Sequence, residues 1–198
     1  SSAGFGVEIN SDKSSLESIT SPEIRAEFEN DYATYEQIFA GAGVMMPTAE
    51  RLAAAGIDWA HLAELKEQHP RHELVVAPLT MKLDNLRQMV SAVTNDQSIP
   101  NNPLKKYKRT KTGGDGLWIN YDIVNNWDGI MARSTSEWQL PTATLDNSKI
   151  WTAYLMPSQD KPENLSMSYQ QVKELGLTTI TIPGYIAYQM KRIKQWQP

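Results

Sequence analysis

The sequence predicts an α+β fold, helix-rich from Ser21 to Val93, with short strands and two closing helices in the second half. Three observations lead there. Large side chains recur every three or four residues in the first part of the chain, the repeat of a single helix face. Short apolar runs next to prolines, Glu73 to Ala77 and Ile150 to Met156, have the length and composition of strands. With 40% hydrophobic and 21% charged residues among 198, the composition is that of a globular chain able to bury a core.

Residues 1–20 are serine-rich and aperiodic, and read as a flexible tail. Order is expected from Ser21, where Ser21-Pro22-Glu23 supplies an N-cap acceptor, a proline at the first helical position and an acid in the first turn. Ile24, Phe28, Tyr32, Tyr35 and Phe39 then fall on one face. Gly41 and Gly43 end that helix, Thr48 caps a short one closed by Gly56, and Asp58 caps a third that runs from Trp59 to about Gln68 before Pro70. After the strand ELVVA, Thr80 is expected to cap a helix carrying Leu83, Leu86, Val90 and Val93. Residues 21–94 thus form a helix-rich part around one buried strand.

Residues 95–116 carry Pro100, Pro103 and a glycine cluster, and read as a loop or linker. Residues 117–198 form a Trp-rich part packed on the first as one domain, with strands at Leu117 to Tyr121 and Ile150 to Met156. Helices are expected from about Ser168 to Leu175 and from about Pro183 to Gln195, the second with Ile182, Ile186, Met190 and Ile193 on one side. Phe28, Tyr35, Val76, Leu86 and Leu155 are expected to be buried. No internal repeat is visible.

Several function classes fall away on composition. No apolar run approaches the roughly 18 to 20 residues that span a bilayer, so no membrane partner is expected and the chain reads as soluble. The absence of cysteine excludes disulfides, thiolate metal sites and cysteine nucleophiles. Lys105, Lys106, Lys108, Arg109 and Lys111 cluster with Tyr107 between them, yet the net charge is −4, so the remainder is more acidic still. Duplex nucleic acid is a poor fit for such a body, and the basic run reads as a solvated loop. A cytoplasmic location is favoured; secretion stays open, because the sequence opens on Ser1 and a leader could have been removed.

Chemistry offers two readings. Gly113-Gly114-Asp115-Gly116 precedes the run LWINY instead of following a strand, so it is no phosphate loop, and no nucleophile elbow is present. Five of the six tryptophans lie in the second half, and Trp118 and Trp127 flank Asn120, Asp122, Asn125 and Asn126. Aromatic faces supply contact area at low entropy cost and amides fix orientation, a mixture suited to a small polar ligand, a sugar, a peptide or a protein partner. The first reading is therefore a non-enzymatic binding or interaction domain, with no cofactor, using Trp118, Asn120, Asp122, Asn125, Asn126 and Trp127. The alternative is a metal-assisted hydrolase: all three histidines, His61, His69 and His72, lie close in sequence, and with Glu64 or Glu67 could form an open zinc site. Their spacing is not the one-turn spacing of a helical zinc motif, and Pro70 splays the later pair. On catalysis itself the sequence is silent.

Overall fold

A computed structural model of the protein describes residues 15–107, 119–137, 140–145, 149–158 and 181–195. The fold is α+β: helices surround a small antiparallel sheet of strand order β1-β3-β2. In chain order the elements are α1 (Pro22–Gly41), α2 (Ala49–Ala55), α3 (Trp59–Gln68), β1 (His72–Pro78), α4 (Leu83–Thr94), α5 (Tyr121–Asn125), α6 (Trp127–Glu137), β2 (Thr142–Thr144), β3 (Ile150–Pro157) and α7 (Ile182–Lys194). Single 3₁₀ turns occupy Leu16–Ser18 and Pro103–Tyr107. Among the described residues, no helix is long and apolar enough to cross a membrane.

Local chemistry explains most helix starts. The side chains of Ser21, Thr48 and Asp58 accept from the amides of Ile24, Arg51 and His61 at 3.3, 3.2 and 3.0 Å, each satisfying one of the donors that a helix leaves open at its start. Gly56 closes α2 at φ 136°, where a side chain would be strained. β1 and β3 pair in the register Leu74↔Leu155, Val75↔Tyr154 and Val76↔Ala153. Side chains alternate between the faces of a strand. One face therefore gives Leu74, Val76, Trp151 and Ala153 to the main core with Phe28, Tyr35, Phe39 and Leu86, and the other gives Val75 and Tyr154 to a smaller cluster with Tyr188 of α7.

α7 runs against the outer side of β1 and is fixed there by a buried cation. Lys191, 1% exposed, places Nζ 3.2 Å from Asp31 Oδ2 of α1 and 3.6 Å from Glu73 Oε1 of β1. It also donates to Leu74 O at 3.4 Å and faces the rings of Tyr35 and Tyr188. Gln195 Nε2 donates to Asp31 Oδ1 at 2.9 Å, and the Tyr188 hydroxyl donates to Glu73. Burial pushes the Asp31 carboxyl above its usual range, and the Lys191 charge pulls it back. The Leu79 amide bonds to Ile150 O, so odd-numbered residues of β1 turn their backbone to β3 and even-numbered ones turn away. On that outer edge the Tyr35 hydroxyl donates to Leu74 O at 2.8 Å, and Lys66 Nζ donates to His72 O at 2.6 Å. Pro78 has no amide to offer. Among the described residues the edge is thus covered by side chains rather than by another strand.

The structure departs from the sequence expectations at five places. Leu16 and Ile19, inside the segment read as a tail, are buried in the core. Thr80 is not the cap of α4, which starts later with Lys82 at the N-cap. The expected strand Leu117 to Tyr121 is not formed in its described part, because Asn120 caps a helix: its Oδ1 accepts from the Asp122 amide at 2.9 Å, and Tyr121 opens α5. α6 and β2 fall outside the elements that the sequence predicts. Leu155 is only half-buried, since β3 leaves the core towards Pro157. Phe28, Tyr35, Val76 and Leu86 are buried as expected; the expected helix over 168–175 lies outside the described residues.

Candidate functional site

The candidate site forms where the chain leaves β1 and enters α4. The Leu79 amide, bonded to Ile150 O at 2.9 Å, keeps the chain on the sheet for one residue past Pro78. Thr80, Met81 and Lys82 then cross the end of the sheet. Lys82 takes the N-cap position of α4 in an extended conformation and makes no side-chain cap bond. A lysine has no acceptor to offer there, and its charge stands at the positive end of the helix dipole. The opening turn of α4 therefore lacks the side-chain acceptor found at the starts of α1, α2 and α3.

Across the gap lies the start of β3. Thr80, Lys82 and Asn85 from the α4 side and Lys149 from the β3 side provide the polar wall of a cavity of about 420 Å³, with Val44 and Trp151 on its apolar wall. No acid lines it. Neither lysine takes part in an ion pair among the described residues. The loop is held from beneath: Trp127 Nε1 donates to Met81 O at 2.8 Å, and both side chains are buried. Chemically the wall can neutralise and hydrogen-bond an anionic group while its apolar side takes the body of a ligand. Among the described residues no carboxylate or imidazole lines it to take up a proton.

The six residues that the sequence offered as a ligand surface separate. Trp118 lies outside the described residues. Asn120 serves as a cap, and Asn125 is exposed. Asp122 and Asn126 come together on an open groove of about 480 Å³ with Ile123, Ile130 and Arg133, and Asn126 Nδ2 donates to Asp122 O at 2.8 Å. Trp127 points the other way, 5% exposed, into the core. A one-turn helix places 122 and 126 on one face and turns 127 from it, a geometry hidden by reading the segment as a strand.

The histidines also divide. His61 stands on the first turns of α3 with Nδ1 3.7 Å from Glu64 Oε2, and eight residues of helical rise, about 12 Å, separate it from His69. His69 and His72 stack with ring centroids 4.7 Å apart. Partial burial lowers the His72 pKa, and the neighbouring His69 and Lys66 lower it further. The turn that joins these two residues already holds a cation, Lys66 Nζ, which donates to Pro70 O at 2.9 Å and pairs with Glu27 at 2.9 Å. Among the described residues no group of three or more His, Asp or Glu is placed to hold a metal. Of the basic run, Lys105 is exposed on a 3₁₀ turn, and residues 108–111 lie outside the described residues.

The cavity was not legible in the sequence, because it joins residues 80–85 to residues 149–151. The one local signal was a lysine immediately before a helix stripe. Compared with known proteins, the chain matches no family model, no curated protein and no solved structure.

Proposed function

We propose that the chain is a binding domain, and that its ligand is a small molecule bearing a carboxylate or phosphate, seated in the cavity at the start of α4. The observation that carries this reading is the sign of the wall: two lysines, a hydroxyl and a carboxamide converge with no acid among the described residues, on a chain whose net charge is −4. Segregating positive charge into one concavity of an acidic protein favours an anion there over the rest of the surface. The volume falls within the roughly 300 to 1,000 Å³ typical of ligand sites. Calorimetric titration with inorganic phosphate and with acetate tests it. Saturable one-to-one binding is expected, weakened about tenfold in Lys82→Ala/Lys149→Ala, as befits charge-assisted hydrogen bonds, with little change in Tm. Binding indifferent to both lysines, or none, would overturn the reading.

A second surface has its own support. Asp122 and Asn126 share the α5–α6 groove with Ile123 and Ile130, and the neighbouring Tyr121 is 75% exposed. This part of the Asn-rich segment suits a peptide or polar partner. Tyr121→Ala should abolish such binding and leave folding intact; retention of a bound partner by that variant would remove this surface from consideration.

A further inference from the structure

We infer that Trp127 is a positioning residue for the cavity, resting on the anion-binding reading above: its indole N–H holds the Met81 carbonyl and so sets the main chain that presents Thr80, Lys82 and the first turn of α4 to a ligand. The loop from Thr80 to Lys82 is fixed at its two ends by backbone bonds, Leu79 N to Ile150 O on the strand side and Leu86 N to Lys82 O on the helix side. Trp127, 46 residues away in sequence, secures the point between them. The bond at 2.8 Å lies between two buried residues, where water cannot replace it cheaply and an orphaned carbonyl is costly.

The consequence for binding is preorganisation. A loop already held in its bound shape loses little entropy when a ligand arrives, whereas a loosened one must be ordered at the expense of affinity. Trp127 and Met131 are the buried side chains of α5 and α6 among the described residues. The indole is thus both an anchor of α6 and a brace for the cavity rim. Sequence alone made it a contact for the ligand; the geometry makes it act through Met81.

The test separates bracing from packing. Trp127 is replaced site-specifically by 3-benzothienylalanine, which keeps the shape of the ring and lacks the N–H, and separately by phenylalanine (Trp127→Phe) as a second variant. Wild type and variants are titrated with inorganic phosphate, following the backbone amide signals of Leu83, Asp84 and Asn85 by NMR alongside Tm. In wild type these signals should shift saturably. In the benzothienyl variant the same shifts should need about three- to tenfold more phosphate, the effect of one net hydrogen bond. If that variant fails to fold, Trp127→Phe must show the same weakening. Equal phosphate affinity in a folded variant, with only Tm reduced, makes Trp127 an ordinary core residue and overturns the inference while leaving the binding reading intact. No saturable shift in wild type defeats the binding reading itself, and the inference with it.

Discussion

Lys191 illustrates how one residue can cost stability and still be retained. An ammonium taken out of water is expensive, and only a full set of partners offsets it. Here Asp31, Glu73, the Leu74 carbonyl and two ring faces supply that set. Truncating the cation alone leaves Asp31 buried and uncompensated, so Lys191→Ala should lose about 3 to 5 kcal/mol in urea unfolding. Replacing both charges together, Asp31→Asn with Lys191→Met, should recover most of that loss, because an apolar side chain of similar length fills the same space. A double variant no better than the single would show that the pair contributes more than the removal of each other's penalty.

At the level of elements, the seat of α7 depends on a missing side chain. A Cβ on Gly184 would run into the Tyr154 hydroxyl and reach within 3.0 Å of Thr181 Oγ1. Gly184→Ala should therefore cost about 1 to 3 kcal/mol, the usual range for overpacking. Among the described residues the buried Tyr154 hydroxyl has no hydrogen-bond partner, so Tyr154→Phe should be close to neutral and, combined with Gly184→Ala, should restore part of the loss in Tm. The same element shows where sequence reading succeeds and fails. Ser21, Thr48 and Asp58 were legible because an N-cap is settled by residues three apart. β1 and β3 were legible as apolar runs beside prolines. The stripe Ile182, Ile186, Met190 and Ile193 revealed that α7 exists, but its deepest side chains, Ala187, Tyr188 and Lys191, are chosen by partners on α1 and β1 more than a hundred residues earlier. No local pattern encodes such a pairing. LWINY misled for the opposite reason, since its strand-like alternation outweighed the Asn120 cap that decides the matter. Of the candidate site, Lys82 ahead of a helix stripe was the single local signal, whereas Asp122 and Asn126 stood out by residue type and do meet in one groove.

Across the whole molecule, α7 closes the structure, and its far end is tied by Lys194 to Asp96 at 2.8 Å, in the loop after α4. The bonds from Lys194 and Ser98 hold the Asp96 carboxyl near a pKa of about 2, below its ordinary 3.8. A depressed acid contributes stability that is present above its unfolded value and is lost as pH falls through the folded one. Tm should accordingly drop as pH goes from 3.8 towards about 2, and Asp96→Asn should flatten that part of the profile; an unchanged slope in the variant would assign the acid loss to other groups. The covered edge of β1 has a further consequence, one of timing. During synthesis β1 emerges well before β3, so the edge of β1 that β3 pairs with waits uncovered while the residues from Leu79 to Pro157, about 80, are added. At about 5 to 20 residues per second that interval is roughly 4 to 16 seconds, long beside the microseconds in which the early helices can form. The nascent chain is most exposed to mispairing with its neighbours on a ribosome cluster during this interval, and a chaperone that shields short apolar strands would have its strongest reason to bind there.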